Sequence, residues 1–244
     1  MGPGPSALTG PTRRYAHGVL GDDIKASGIS VELATGEVLS LELEPDAVFE
    51  DRIPRLVDLT GNGRGHFLVI KSYATMGAAL ALVAPVDGRL VVIAGGDPIG
   101  QSYRWLNPVG VGDFDGGGRI ETAHAETPHI GGTLVLSRLE NGRLVSVRRV
   151  RGFSNHRMGS RELGLSVVLD ANGDGVPDIV VPDNSRTDLR VGTFAGGKFR
   201  ELARIELRAE ITSSLRPVQI GAGKRKGLAF RLSDGRIVGL VFGR

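Results

Sequence analysis

At 244 residues the chain is long enough to bury a sizeable core, and it contains 37 glycines but no cysteine. Disulfides and thiolate metal sites are therefore excluded, and a glycine content of roughly twice the usual level indicates many turns. The charges are nearly balanced, with a net charge of +3, and there is one Trp. This balance does not indicate a nucleic-acid surface, and no long apolar run predicts a membrane-spanning helix.

The first segment of the chain, residues 1–11, begins Met-Gly-Pro-Gly-Pro-Ser-Ala. It has neither the basic stretch nor the apolar stretch of a signal peptide. We predict that it is a disordered segment or a remnant of cloning, outside the fold, and that the native signal peptide is absent. Residues 12–244 then form one all-β domain, with about three strands in each of the end segments 13–46 and 215–244.

An acidic, glycine-rich loop between two apolar runs recurs along the chain at intervals of roughly 50 residues, the size of a propeller blade. The copies are Asp58–His66, Asp113–Glu121 and Asp170–Asp178, followed by a worn copy at 221–229 that carries Lys224, Arg225 and Lys226. We call the first three the first, second and third loops.

Tight turns alternate with these loops and predict hairpins. They are Thr35-Gly36, Asp87-Gly88, Asn141-Gly142, Gly196-Gly197 and Asp234-Gly235. Asn-Gly and Asp-Gly between apolar runs are strong hairpin signals because both central residues need positive φ. Three complete blades are predicted at about 53–98, 103–153 and 161–207, with shorter blades at the ends. The prediction is a single β-propeller of five blades, or alternatively four, closed by strands from both termini because an open edge strand invites aggregation.

The loops and strands resemble the FG-GAP/VCBS repeats of integrin-type propellers, whose hallmark is Asp-x-Asp-Gly-Asp-Gly-x-x-Asp. Asp170–Asp178 matches this hallmark with Asn172 in place of the second Asp. Tyr15–Asp22, Phe49–Arg52 and Gly152–His156 are also similar to segments of small bacterial VCBS-repeat proteins of unknown role. The resemblance implies export, and hence a periplasmic or extracellular location.

The third loop predicts a structural calcium site, since calcium takes six to eight oxygen ligands from alternating carboxylates and carbonyls. The expected ligands are the side chains of Asp170, Asn172, Asp174 and Asp178 and the carbonyl of Val176. The second loop keeps Asp113, Asp115 and Glu121 but has Gly117 at the fifth position. The first loop, with Asp58, Thr60, Asn62 and His66, is predicted to be a metal-free turn, and the Lys224 copy cannot bind calcium.

Unusual polar and aromatic residues fall on the turns that strand order places opposite the acidic loops. They are Glu50, Arg52, Tyr73, Arg104, Trp105, His129, His156, Arg157, Asp183 and Arg186. Binding residues concentrate on loops held by a rigid scaffold, so these residues are candidates for ligand contact. The alternative is that they form hydrogen bonds and salt bridges between blades. His17 and His124 lie beside apolar residues and are predicted to be structural.

The resulting prediction is a monomeric, non-enzymatic, calcium-stabilised scaffold that binds a protein, peptide or glycan, with no nucleic-acid partner. The alternative is a propeller enzyme, a lyase or hydrolase acting on a saccharide, with His129 and His156 as the acid–base groups. No Gly-x-Ser-x-Gly, His-Glu-x-x-His or P-loop sequence supports catalysis.

Overall fold

The computed structural model describes residues 4–221 and 225–242, so that Lys224 of the basic copy lies outside the described residues. The described chain is all-β, with a single turn of 3-10 helix at Gly18–Leu20. None of its helices is long and apolar enough to cross a membrane. The chain divides into two compact units, one formed by the residues up to Leu106 with Ser137–Val147 and one by Asn107–Leu136 with the residues from Arg148 onward.

The first unit is built on an antiparallel sheet. Its strands are β1 (Ser6–Thr12), β2 (Lys25–Glu32), β3 (Val38–Glu42), β4 (Ala47–Phe49), β5 (Arg55–Val57), β6 (His66–Tyr73), β7 (Gly77–Val86) and β8 (Arg89–Gly96). They pair in the order β1-β2-β4-β6-β7-β8, with β3 on β2 and β5 on β6. Since β4 pairs with residues 71–73 and β5 with residues 66–68 of β6, these two short strands share one long neighbour.

The prediction that residues 1–11 lie outside the fold is wrong for the part that the structure describes as strand. Ser6–Thr12 form β1 and pair with β2 from Ser6–Val31 to Thr12–Lys25. The segment contains Gly10 and Pro11, which disfavour strands, so its sequence gave little indication of pairing. The pairing of β1 is therefore stabilised by its backbone hydrogen bonds to β2 and not by the strand preference of its side chains.

The second unit contains most of one four-stranded sheet and all of two further sheets. The strands are β9 (Leu106–Gly112), β10 (Glu121–Glu126), β11 (Thr133–Glu140), β12 (Arg143–Arg151), β13 (Val167–Leu169), β14 (Asp178–Pro182), β15 (Asp188–Thr193), β16 (Arg200–Glu206), β17 (Arg216–Ile220), β18 (Arg225–Arg231) and β19 (Ile237–Val241). They follow the orders β12-β11-β10-β9, β13-β14-β15-β16 and β17-β18-β19. The hairpin end of β11 and β12 belongs to the first unit, where Arg143–Leu144 pair in parallel with Gly95–Gly96.

The sheets are not closed. β1 pairs with β2, and β17–β19 form a separate three-stranded sheet, so the predicted closure through strands of both termini is not found among the described residues. Sequence-adjacent strands pair in β5-β6-β7-β8 and in β13-β14-β15-β16, as expected for repeated antiparallel sheets, whereas in the described part of the chain β4 pairs with β2 and β6 and not with β3 or β5. The blade count stays a prediction.

Each unit has its own apolar core. Ile29, Phe49, Phe67 and Val69 are among the buried residues of the first unit. Val180, Leu189, Leu228 and Phe230 are among those of the second. Removing such a side chain from water stabilises the fold by about 1.5–3 kcal/mol. These cores hold the strand ends, and therefore the loops, in fixed positions.

Three of the five predicted hairpin turns have the expected backbone angles at both central residues, whereas at Thr35–Gly36 and Asp234–Gly235 only the glycine has positive φ (83° and 88°). Both central residues have positive φ at Asp87–Gly88 (48° and 72°), Asn141–Gly142 (50° and 77°) and Gly196–Gly197 (77° and 81°). This is the conformation that a two-residue hairpin turn requires for its twist to match that of the strands.

Candidate functional site

The first, second and third loops are built alike. In each, the carboxylate of the first residue accepts a hydrogen bond from the glycine at the sixth position. The three bonds are Gly63 N to Asp58 Oδ2 (2.7 Å), Gly118 N to Asp113 Oδ2 (2.8 Å) and Gly175 N to Asp170 Oδ2 (3.0 Å). The three glycines have φ of 79°, 79° and 84°, values that are sterically unfavourable for residues with a β-carbon. The ninth residue of each loop begins the next strand. The sequence repeat is therefore also a structural repeat.

The second loop brings its predicted metal ligands together. One oxygen of each of Asp113, Asp115 and Glu121 lies within 4.8 Å of the others. Glu121 is fully buried and accepts a 2.9 Å hydrogen bond from Phe114 N. Oδ1 of Asp113 is buried with no hydrogen-bond partner in the described part of the chain. Three hard carboxylate ligands of this kind fit an oxygen-seeking divalent cation.

The third loop is held by hydrogen bonds among its own residues. Gly173 N donates to Asp170 Oδ1 (2.6 Å), Val176 N to Asp174 Oδ1 (2.9 Å), and Asn172 Nδ2 to Asp174 Oδ2 (2.9 Å). In residues 4–221 and 225–242, the second loop alone has three acidic or imidazole ligands grouped as closely as a metal requires. Cation binding by the third loop therefore needs some of these bonds to be released.

Asp178 is the residue of the third loop that most favours a cation. Its side chain is fully buried, and Oδ2 accepts a 2.9 Å hydrogen bond from Ala171 N, so the carboxylate faces the loop. Oδ1 has no hydrogen-bond partner among the described residues. Burial raises the pKa of this carboxyl, although the Ala171 amide and the Thr193 hydroxyl oppose the rise. A cation would supply the missing partner and favour the charged form.

The first loop satisfies its single carboxylate internally. Thr60 N, the Thr60 hydroxyl, Gly61 N and Gly63 N all donate to Asp58. These bonds, that of the Thr60 hydroxyl first, lower the pKa of Asp58 to about 2. With hydrogen bonds filling the acceptor positions and an imidazole at position nine, the arrangement favours the metal-free turn predicted from the sequence.

Two of the predicted ligand-binding residues in the first unit are buried. Glu50 is fully buried, where it lies 2.8 Å from His17 Nδ1 and accepts a 2.7 Å hydrogen bond from the Ser72 hydroxyl. Trp105 is 1% exposed, and its Nε1 donates to Glu50 O at 2.9 Å. These contacts favour the structural alternative for both residues, and the structural role predicted for His17 is confirmed.

The other three predicted residues of the first unit lie nearer the surface. Arg52 is exposed, and Tyr73 and Arg104 are half-buried. Lys71 Nζ lies 4.8 Å from the centre of the Tyr73 ring. Arg104 N donates to Gln101 O at 3.3 Å, and Arg104 O accepts from Ala78 N at 2.9 Å. The Arg104 backbone thus links the start of β7 to the segment that leads into β9.

In the second unit the two predicted histidines contact each other, with His156 fully buried and His129 half-buried. His129 Nε2 lies 2.8 Å from His156 Nδ1, and His156 Nε2 lies 2.9 Å from Ser160 O. Since a carbonyl only accepts, Nε2 of His156 carries the proton and Nδ1 accepts from His129. Burial lowers the pKa of His156 to about 4. A neutral, fully buried imidazole with both nitrogens bonded is poorly placed for acid–base chemistry.

The remaining predicted residues surround this pair. Arg186 donates to the Ser154 hydroxyl (3.2 Å) and to Glu210 Oε1 (3.1 Å), and Ser154 donates to Pro128 O at 2.6 Å. Asp183 accepts from Ser185 and Thr187 and so closes its own turn. Arg157 is exposed. Of these predicted residues, His129 and His156 contact each other, whereas Arg186 bonds to the side chains of Ser154 and Glu210.

Exposed apolar residues on the same turns were missed. Met76 is 43% exposed, Ile130 59% and Met158 52%. Each precedes a glycine of positive φ, namely Gly77 (73°), Gly131 (71°) and Gly159 (76°). An apolar residue directly before a turn glycine, in an otherwise polar turn, is the signal that could have identified them.

Comparison with known proteins gives information on the fold. No family model matches the sequence, and no curated protein matches it. Solved structures of 159 chains are similar, so the fold alone does not single out one function. One of them is the crystal structure of BBS1N in complex with ARL6DN, soaked with lead, at a TM-score of 0.51 and 13% identity. The similarity covers 89% of this chain and 60% of that chain. It supports a β-propeller-like all-β fold, and the FG-GAP/VCBS resemblance stays a prediction.

Proposed function

We propose that this protein is a non-enzymatic, calcium-stabilised scaffold of the β-propeller kind that binds a protein partner through its exposed turns. The observation that carries the proposal is the repeated combination of exposed apolar side chains with a buried polar network directly beneath them. Each unit has one such combination.

In the first unit the exposed residues are Met76 and Tyr103, at 43% and 51% exposure. Gly100 N donates to Met76 O at 2.8 Å, which joins the two turns that carry them. Tyr103 has a φ of 57°, rare for an aromatic residue, and its N–H donates to the buried Tyr15 hydroxyl at 2.8 Å. The two tyrosine rings lie 5.1 Å apart. The turn is therefore held rigidly while the outer face of Tyr103 stays available.

In the second unit the exposed residues are Ile130 and Met158, with Arg157 beside Met158. The His129–His156 pair and the Ser154–Pro128 bond join their turns from below. Tyr, Met and Arg are enriched in the centres of protein interfaces, and rigid anchors lose little entropy on binding. This composition favours a protein or peptide over a glycan, because the one Trp that could stack on a sugar is buried.

Three further observations support the proposal. The similar BBS1N structure was solved as a protein complex with ARL6DN. The buried, neutral state of His156 weakens the enzyme alternative. The unpartnered oxygens of Asp113 and Asp178 support a calcium role for the loops. Export, as the family resemblance implies, would place the protein where calcium is abundant enough to fill sites of modest affinity.

A capture experiment tests the proposal. The protein, immobilised in calcium, is exposed to a lysate and to the culture medium of the organism that encodes it, and retained proteins are identified by mass spectrometry. Ile130→Asp with Met158→Asp should abolish retention of a partner that the unaltered chain holds, with an unchanged melting temperature. Val38→Asp is the matched control, since Val38 is 60% exposed but lies on a strand. Equal loss in the control, or no loss in the double variant, would contradict the proposal.

A further inference from the structure

The sheet β17-β18-β19 ends in a strand that has a neighbour on one side only. Within the described part of the chain, β19 pairs with β18 and with no other strand. Phe242 N donates to Lys226 O at 3.1 Å, and these two residues lie opposite each other in the ladder. Because the hydrogen bonds of an antiparallel pair fall on alternate residues, the backbone groups of Ile237, Gly239 and Val241 point away from β18. They are the donors and acceptors that a further strand would use.

This edge lacks the residues that keep an edge strand from pairing. Charged side chains and proline commonly have that role. β16, which ends the preceding sheet, has the sequence Arg-Glu-Leu-Ala-Arg-Ile-Glu, whereas β19 is Ile-Val-Gly-Leu-Val, with neither charge nor proline. Ile237 is 74% exposed and Val241 37%. The edge of β19 is therefore suited to pairing.

An apolar groove of about 470 Å³ lies beside this edge. Its walls include Leu202 and Ile205 of β16, together with Leu240 and Phe242, all of them half-buried against the core of the second unit. A strand added to β19 would lie about 4.8 Å from it, and every second side chain would point to one face of the sheet. Apolar side chains on the face towards the groove would be removed from water there.

The sheet that carries this edge is basic. Its three strands contain no acidic residue, and their basic residues are Arg216, Arg225, Lys226 and Arg231. Arg225 and Lys226 are exposed, and neither side chain forms a hydrogen bond or an ion pair with a described residue. Both line a second cavity, of about 290 Å³, and Phe242 lines this cavity as well as the groove. The groove thus has a basic end.

One carboxylate also lines the basic cavity, that of Asp170. Its two oxygens accept hydrogen bonds from Gly173 N (2.6 Å) and Gly175 N (3.0 Å) of its own loop. Asp170 is therefore engaged within the third loop, and the two cations beside it remain available to an acidic ligand.

We propose that β19 and the adjoining groove bind an extended segment of a protein partner by strand addition. The segment has apolar residues at alternate positions and acidic residues beside Arg225 and Lys226. Backbone bonds to β19 provide the affinity, and the groove and its basic end provide the selectivity. A second copy of the chain fits less well, because two such basic sheets repel each other. The exposed turns of the proposed function are not part of this surface, so either proposal can fail without the other.

Selection of short random peptides displayed on phage, with the whole chain as target, tests the inference. We expect enriched peptides to carry apolar residues at every second position and Asp or Glu towards one end. The most enriched peptide is then synthesised with a fluorescent label, and its affinity is measured by anisotropy.

Two variants at Gly239 test strand addition. Gly239→Pro removes an N–H that points away from β18, so the ladder keeps its own bonds. The affinity for the peptide should fall at least about tenfold, because a backbone bond is lost and the ring obstructs the added strand. Gly239→Ala is the matched control. It keeps the N–H, and its β-carbon would lie 3.5 Å from Ile220 Cδ1, an ordinary contact, so the affinity should be retained.

Charge reversal tests the basic end. Arg225→Glu with Lys226→Glu should lower the affinity for the acidic peptide at least about fivefold. Arg89→Glu changes an exposed cation of the first unit and should leave the affinity unchanged.

Hydrogen exchange followed by NMR keeps the test independent of whether the variants fold. In the free chain the amides of Ile237, Gly239 and Val241 should exchange faster than those of Val238 and Leu240. The peptide should slow exchange at the first three. No enriched peptide, enrichment without acidic residues, exchange that the peptide leaves unchanged, or equal binding by a folded Gly239→Pro chain overturns the inference. A dimer that Gly239→Pro dissociates in sedimentation also overturns it, because a second copy then occupies the edge.

Discussion

Replacing Glu50 by alanine tests whether the buried polar network of the first unit is structural. Glu50 is fully buried and serves as acceptor for His17 and Ser72, both themselves buried. Removing the carboxylate leaves two buried donors without an acceptor, at about 1–3 kcal/mol each. The expected loss in the free energy of unfolding is therefore about 4 kcal/mol. At about 2–4 °C per kcal/mol for a chain of this size, the melting temperature should fall by roughly 8–16 °C.

Urea denaturation and thermal melting measure this loss, with two matched variants. Glu50→Gln keeps a side-chain acceptor for His17, and the Ser72 hydroxyl can rotate to accept from the amide, so less than half of the loss is expected. Glu37→Ala removes a carboxylate from an exposed turn and should change the stability by less than about 0.5 kcal/mol. A loss below about 1 kcal/mol for Glu50→Ala would refute the structural role and reopen ligand binding by Glu50.

Four further predictions follow from the structure. Trp105 should resist acrylamide quenching in the native state, since it is 1% exposed; quenching as fast as that of free tryptophan would contradict its placement. Burial lowers the pKa of His156 to about 4, below its ordinary value of 6.5. As the pH falls, this histidine is therefore protonated in the unfolded chain before it is protonated in the folded chain. Stability should therefore be full above about pH 6.5 and fall by about 3 kcal/mol towards pH 4, and His156→Gln should flatten this part of the pH profile. Excess chelator should lower the melting temperature, by less in Asp174→Ala than in the unaltered chain and by nearly the full amount in Asn62→Ala; an unchanged melting curve would count against calcium. Removing Arg236–Arg244, of which 236–242 are described and include β19, should unfold or aggregate the protein, as seen by size-exclusion chromatography, because it exposes the edge of β18.

Local features of the fold could be predicted from the sequence. The turns at Asn141–Gly142 and Asp87–Gly88 need positive φ at both central residues, and few residue types tolerate it. Such a turn can therefore be recognised from a stretch of four residues. The repeated loops are equally local, since the first carboxylate bonds to amides no more than five residues away. The sequence pattern predicts the structure correctly where all of the interacting residues lie within one short segment of the chain.

Features that depend on distant partners could not be predicted. Glu50 and Trp105 looked like surface groups because they are polar or amphipathic residues near turns. Glu50 is bonded to His17 and Ser72, which lie 33 and 22 residues away in the chain, and Trp105 is bonded to the Glu50 carbonyl, 55 residues away. β1 was missed for the same reason, since its pairing with β2 depends on backbone bonds that composition does not encode.

The second and third loops show the same limit within one sequence pattern. The third loop matches the calcium pattern best, yet the second loop is the one with grouped ligands. Asp170 and Asp174 are short side chains that reach the amides of their own loop, and those bonds hold them apart. The longer Glu121 instead reaches back to the start of its loop, towards Asp113 and Asp115. The two loops differ at position nine, where Glu121 stands in the second loop and Asp178 in the third.

Site-specific photo-cross-linking tests the binding role most directly. A photoreactive phenylalanine is placed at position 103, 130 or 158 or, as a control, at position 38, and each protein is irradiated in calcium with the lysate and culture medium of its own organism. If the exposed turns bind a protein, one partner should be cross-linked from one or more of positions 103, 130 and 158 and not from position 38. Adducts that are equal at all four positions, or absent from the three turn positions, would contradict the account.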